Sequence, residues 1–409
     1  MYKKKIAIVN ADIYNGNRGV GALGLSTIYL LNSIGKEFGY NFEFFVFNNK
    51  YGTKLEDSLL LGSDIVKITN VEPINVFNFI DGAMTLVTSK RRRSLKSYLK
   101  LNYVLDIGLG DSFSDIYGEK RFYTVYWQHK MARLFRKKLL LLPQTIGPFN
   151  NSKIRRKANR SIEKADYVFA RDAKSCDYIK NNTIQNYFSE SIDVAFFMPY
   201  NKQKFTEDFI HVGLNVSSLL WNGGYTKNNQ FNLKVDYQTL IHSIIKYFLD
   251  DPDVKLHLVP HVVSANDSVE NDYAVSFNLY NQYKTKNIEL APFFLNPIYA
   301  KNYISGLDFF AGARMHATIA AFSSGVPVFP MAYSRKFNGL YTDTLKYNSI
   351  GDMVIDNNLE LMNGLIGAFR NRRYLKNLIV EQLETTVKER ENIIKKGIAD
   401  FLELEIVKS

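Results

Sequence analysis

The stretch GARMHATIAAFSSGVPVFPMAYSRKFNGL, residues 312–340, decides the fold. The five residues before it, 307–311, are short, apolar and rich in Phe, which reads as a buried strand. After Gly312 the apolar spacing changes. Met315, Ile319 and Phe322 recur four and three residues apart, one face of a helix. Gly325 stands where a helix end wants a residue tolerant of positive φ. Val326–Met331 then reads as a second strand. The stretch is a β-α-β unit with Arg314 and His316 at the start of its helix. Amide N–H groups point outward there, and the helix dipole favours an anion. Arg314 adds a planar, permanently charged fork. The first expectation is a site for a phosphate or carboxylate.

Outward from this unit, strand and helix patterns alternate over most of the chain. Strands are expected at 5–9, 41–47, 103–108, 138–144 and 167–172, and again at 209–216 and 254–261. Helices are expected at 23–38, 153–164, 237–248 and 300–305, with a helical pattern from Asn358 onward. Apolar periodicity stops around 198–208, MPYNKQKFTED, which reads as a linker. The expected class is α/β, with two Rossmann-like domains facing across a cleft. The first covers 1–200 and the second 209–375. Helices in 376–409 are expected to pack back on the first domain. A chain of 409 residues suits two such domains.

Composition narrows the function. The hydrophobic share of 46% and the charged share of 22% are those of a globular protein. One cysteine, Cys176, excludes a disulfide framework and a multi-cysteine zinc site. The opening MYKKKIAIVNAD has an apolar run too short for a signal peptide and reads as a first strand. A cytoplasmic location follows as the expectation. The formal net charge of +12 fits anionic substrates or an anionic membrane surface, and equally a bias toward Lys, Asn, Ile and Tyr. The densest basic run is SKRRRSLKSYLK, 89–100, a solvated helix face or a patch for peripheral contact with the inner face of a membrane. No motif points to nucleic acid.

The unusual polar residues follow apolar runs: Asp111, Gln144, Arg171, His261, Arg314 and His316. Ligands of open α/β sheets bind beyond the carboxyl ends of strands. Arg171 and Arg314 suit a ligand with two anionic groups. Arg171 suits equally an ion pair with Asp172 or the following helix, and Arg314 a contact to its sheet. His316 is one of six histidines and fits general acid–base work, or a satisfied core position. His261 either binds ligand or bonds the acidic loop containing Asn266, Asp267 and Asp272. Asp111, in GLGDSFSDIYG (108–118), fits a base for a sugar hydroxyl, or a cap or turn residue. The glycine spacing of 108–118 is not the dinucleotide fingerprint, the sequence has no GxxxxGK[ST] loop or GxSxG elbow, and no clustered carboxylate pattern argues for a metal.

In combination, GLGDSFSDIYG, LLPQTIGPF, FARDAKS, DVAFF, VGLNVS, LVPHV and DFFAGARMHATIAAFSSGVPVFPMAYSRKFNGL, in this order, resemble the polysaccharide pyruvyl transferase family. The resemblance spans Asn10 to about Gly351. It implies a glycosyltransferase-B-like frame and transfer of the enolpyruvate unit of phosphoenolpyruvate onto two sugar hydroxyls. The product is a pyruvate ketal on a capsule, exopolysaccharide or cell-wall precursor, with a saccharide acceptor that can be lipid-linked. It implies no cofactor; phosphoenolpyruvate is the donor substrate. Arg314 and Arg171 match donor-binding arginines, with Met315 beside the first, and His316 matches the acid–base histidine. Gln144, His261, Asn17, Ser334 and Lys336 join the expected binding set. One departure stands out. Many members carry Asn-x-Gly-Asp near the start, and here Asn17–Val20 reads NRGV, without the acid. The competing reading is a glycosyltransferase-like enzyme of surface-polysaccharide synthesis using a nucleotide sugar.

Overall fold

Fourteen strands form two sheets in the computed structural model, which describes residues 3–48, 55–74, 89–263, 269–284 and 287–405. The first sheet contains β1 (Lys3–Val9), β2 (Asn41–Phe47), β3 (Glu56–Leu61), β4 (Asp64–Val71), β5 (Tyr103–Asp106), β6 (Lys138–Gln144), β7 (Tyr167–Ala170) and β8 (Phe188–Glu190). Its order is β3-β4-β2-β1-β5-β6-β7-β8. All neighbours are parallel except β3 and β4. That edge hairpin turns at Gly62, whose φ of 65° suits a two-residue connection. The central strands are apolar on both faces, as helix-covered parallel strands must be: every residue of β5 is buried.

The second sheet contains β9 (Ile210–Asn215), β10 (Val254–Leu258), β11 (Ile288–Leu290), β12 (Phe309–Gly312), β13 (Val328–Ala332) and β14 (Gly351–Asp352). Its order is β11-β10-β9-β12-β13-β14, all parallel. The strand order reverses direction between β9 and β12, so Asn215 and Gly312 mark this sheet's switch point. The opening stretch forms β12, the helix Met315–Ser323 and β13. Gly325 ends that helix at φ 77°.

The chain divides into two compact units, 1–14 with 23–199 and 389–409, and 15–22 with 200–388. The linker expected near 198–208 coincides with the boundary after Pro199. The C-terminal return starts later than 376: the helix Arg372–Gln382 stays with the second unit. In the first unit, the helix Lys388–Phe401 sets Phe401 against Tyr103, with ring centroids 5.5 Å apart. Arg390 pairs with Glu190 at 3.2 Å, and Tyr103 donates to the Leu402 carbonyl at 3.1 Å. The segment 15–22 is the other departure from the expected boundaries. It lies early in the chain but belongs with the second unit, because its partners are residues 261–263 and His316. Among the described residues no helix is long and apolar enough to cross a membrane.

Candidate functional site

Two groups of strand-end residues emerge, one in each unit. In the second, β12 ends at Gly312 and Arg314 caps the helix Met315–Ser323 in an extended conformation, φ −91° and ψ 116°. Its amide donates to Asn215 Oδ1 at 3.0 Å, tying the turn to the end of β9. The guanidinium is buried. Nη2 and Nε donate to Asp272 Oδ1 and Oδ2 at 2.8 and 3.2 Å, and Nη1 donates to Glu270 at 3.3 Å. Burial works against the charge of Arg314, but Asp272 outweighs it and holds the guanidinium proton more tightly than usual.

Asp272 is wholly buried and opens the helix Asp272–Gln282. Beyond Arg314 its carboxylate accepts from the Ser218 amide and hydroxyl at 2.9 and 3.0 Å, and from the Val262 amide at 3.0 Å. Glu270 bonds Tyr225, whose phenol is pushed up by burial and by that carboxylate. The arginine is thus locked before any ligand arrives.

His316 is the second residue of the helix, in its first turn, and is half-buried. The segment Asn15–Ala22 lies against it. Val263 N donates to Gly16 O at 2.9 Å and Arg18 N to His261 O at 3.1 Å, a short antiparallel pairing. Gly19 then touches the imidazole: a methyl group there would lie 2.3 Å from His316 Nδ1 and 2.9 Å from its Cβ. A glycine is required for that approach. Asn17 Oδ1 accepts from the Gly19 amide at 3.0 Å, in the manner of an N-cap for the helix Arg18–Phe38. Burial, with the nearby charges of His316, Arg314 and Arg18, pushes His261 well below the usual imidazole range, so this imidazole is neutral.

The second unit therefore brings together Asn17, His261, Arg314 and His316. Met315 is buried among core side chains. Ser334 precedes the short helix Arg335–Asn338, its hydroxyl buried with no hydrogen-bond partner among the described residues. Lys336 Nζ stands 6.0 Å over the Tyr333 ring, and Tyr333 lies within electrostatic reach of Arg314. Asn266 and Asp267 lie outside the described residues; Asp272 is the acidic residue that meets the His261 segment.

In the first unit, Asp111, Gln144 and Arg171 surround the glycine-rich turn after β5. Arg171 does not pair with Asp172, which caps the helix Ala173–Asn182 by accepting from Ser175 N. It pairs with Asp193 at 2.9 Å and donates to Thr145 Oγ1. Burial opposes its charge, yet Asp193, with Asp111 and Asp172, raises its affinity for the proton. Asp111 is a turn residue accepting from the Tyr117 hydroxyl at 2.8 Å. Gln144 donates to the Asp106 carbonyl and carboxylate at 3.0 and 3.1 Å. That carboxylate also meets His129 Nε2 at 2.8 Å, and His129 Nδ1 meets Ser161 Oγ at 2.7 Å. All three are fully buried, so this Asp–His–Ser chain braces the turn and has no access to substrate.

Sequence reasoning missed Arg18, Gly19, Asp272 as the Arg314 partner, and the Asp106–His129 pair. A visible signal for Arg18 was an arginine beside a glycine at a helix start. Among the described residues no group of three or more His, Cys, Asp or Glu side chains is placed to hold a metal ion.

Solved structures share the fold at low identity. A protein assigned as a UDP-N-acetylglucosamine 2-epimerase from Listeria monocytogenes is similar at TM-score 0.61 and 12% identity, over 100% of both chains. The UDP-GlcNAc 2-epimerase of Neisseria meningitidis, solved with UDP-GlcNAc, gives TM-score 0.56 and 8% identity over 98% of this chain and 100% of its own. Sucrose-phosphate synthase from Thermosynechococcus elongatus gives 0.55 and 13% over 98% and 97%. These likenesses place the chain among glycosyltransferase-B-like α/β folds and go no further. No curated protein sequence matches significantly. The family model for polysaccharide pyruvyl transferases matches residues 25–335, three quarters of the chain and nearly all the strand-end residues described above: the chain belongs to the polysaccharide pyruvyl transferase family.

Proposed function

We propose that this transferase moves the enolpyruvate unit of phosphoenolpyruvate onto two hydroxyls of a sugar in a surface-polysaccharide precursor, forming a pyruvate ketal. The observation that carries the reading, given the family, is His316. It is set at the start of a helix whose turn is locked by the Arg314–Asp272 pair, with the backbone of Gly19 pressed against its ring. An imidazole so positioned suits one proton transfer in a defined direction.

The chemistry balances with the donor and a diol alone. His316 gives a proton to C3 of the donor, making the methyl group and leaving C2 electrophilic. A sugar oxygen bonds to C2, the bond from C2 to the phosphate oxygen breaks, and the second hydroxyl closes the ring. One hydroxyl proton restores His316 and the other leaves with phosphate. Two of the five Arg314 N–H groups remain unused by Asp272 and Glu270 and suit hydrogen bonds that orient the donor's carboxylate, without net charge attraction.

A peripheral contact with anionic lipid would serve a lipid-linked acceptor. The helix Ser152–Glu163 supports this, with exposed Lys153, Arg155, Arg156 and Arg160. The neighbouring helix, Glu119–Leu134, adds Lys130 4.2 Å over Trp127. A nucleotide-sugar reaction is the second reading, favoured by the Neisseria neighbour solved with UDP-GlcNAc. Thermal unfolding with phosphoenolpyruvate against UDP- and CMP-sugars separates them. Stabilisation by millimolar phosphoenolpyruvate supports the first; stabilisation only by a nucleotide sugar overturns it.

A further inference from the structure

We infer that Arg18 is the residue that receives the phosphate group of the donor, an inference that rests on the proposed reaction. The arginines singled out by sequence are already neutralised. Arg314 faces two carboxylates, Asp272 and Glu270, and Arg171 faces Asp193. A dianion gains little net attraction from a guanidinium whose charge is so matched.

Arg18 differs. It is only 5% exposed, and no carboxylate lies within ion-pair distance among the described residues. Nη1 donates to the Asn15 carbonyl at 3.0 Å, Nε is buried without an acceptor, and the Phe293 ring lies 5.9 Å from Cζ. Burial alone weakens its hold on the proton. An uncompensated cation withdrawn from water is unfavourable unless a partner supplies the opposite charge.

Position gives that partner a name. Arg18 N is bonded to His261 O, and the next residue, Gly19, touches His316. The Arg18 charge also acts on the His261 imidazole, as do those of Arg314 and His316, so the guanidinium belongs to the same corner as the proton-transfer group. The amides of the helix start are not the receptor: those of Gly19, Val20 and Gly21 all point to Asn17 oxygens. The charge must come from the side chain. The departure at Val20 fits as well. An acid at that position would stand two residues from Arg18 and lower the net positive charge of the loop; a valine leaves it intact.

The test is titration calorimetry with phosphoenolpyruvate, with inorganic phosphate as a second probe, on the full chain and on Arg18→Met and Arg18→Lys. Unliganded melting temperatures are measured alongside. The expected result is binding to wild type, weakened about 10- to 100-fold in Arg18→Met and less in Arg18→Lys. The Arg18→Met variant should also melt higher than wild type without ligand. Equal phosphoenolpyruvate affinity in wild type and Arg18→Met overturns the inference and leaves the proposed reaction standing. An Arg18→Met protein that melts lower or fails to fold marks a structural arginine, and also overturns it. If wild type binds no phosphoenolpyruvate, the reaction fails instead. Inorganic phosphate then decides Arg18 alone, loss of binding in Arg18→Met supporting an anion site and equal binding refuting it.

Discussion

Asp272 grips Arg314 at two points, Oδ1 2.8 Å from Nη2 and Oδ2 3.2 Å from Nε, where neither carboxylate oxygen meets water. The pair joins the helix Asp272–Gln282 to the turn that carries His316. Replacing Asp272 with Asn keeps the shape and removes the charge. Urea unfolding should show a loss of about 3 kcal/mol, the low end for breaking a buried pair, because Glu270 still faces the guanidinium. The double variant Asp272→Leu/Arg314→Met should lose less than the two single changes summed.

Gly19→Ala tests the contact on the imidazole. Its methyl group would fall 2.3 Å from Nδ1 and 2.9 Å from Cβ of His316, too close for a small rotation to relieve. Overpacking should cost about 1–3 kcal/mol, and kcat should fall with the displaced histidine. Gly367→Ala, inside the helix Asn358–Arg370 with no atom near the added methyl, is the control. It should gain about 0.5–1 kcal/mol and leave turnover unchanged.

Lys301 gives a pH signature. It is fully buried in the helix Pro297–Ile304, and burial pushes its pKa down to about 7, although Nζ lies 4.9 Å over the Tyr200 ring. Between pH 7 and the ordinary lysine value of 10.5, the unfolded chain holds the extra proton. Stability from this residue therefore rises with pH across that window, and its penalty is full below it. Lys301→Met should be the more stable protein at pH 6.5. The gap in urea midpoint should narrow steadily toward pH 10. A gap independent of pH would contradict the assignment.

The basic helix face predicts flotation with vesicles containing anionic lipid at low salt, and release at high salt. Charge reversal at the exposed Arg155, Arg156 and Arg160 should abolish flotation without changing the melting temperature by more than a few degrees. Flotation unaffected by either change would rule the face out.

The β-α-β unit at 307–332 was legible because apolar period and glycine placement are local signals. The strand-end arginines were legible for the same reason. Their partners were not. Asp193 lies 22 residues from Arg171, and Asp272 lies 42 from Arg314, so an ion pair and a ligand contact look alike in sequence. The segment 15–22 was the hardest case. It pairs with residues 261–263, and only the fold reveals that a loop near the start abuts His316. The edge hairpin of β3 and β4 carries little local signal, its Gly62 turn sitting between short, half-polar strands.

The central claim is proton transfer from His316 to the donor's methylene carbon. The most direct measurement is mass spectrometry of saccharide acceptors incubated in deuterated water with phosphoenolpyruvate and either wild type or His316→Ala. The account predicts a ketal-bearing acceptor with one deuterium in the new methyl group, formed about 10²- to 10⁴-fold more slowly by the variant. A deuterated ketal formed as fast by His316→Ala as by wild type would contradict it, as would acceptors modified only when a nucleotide sugar replaces phosphoenolpyruvate.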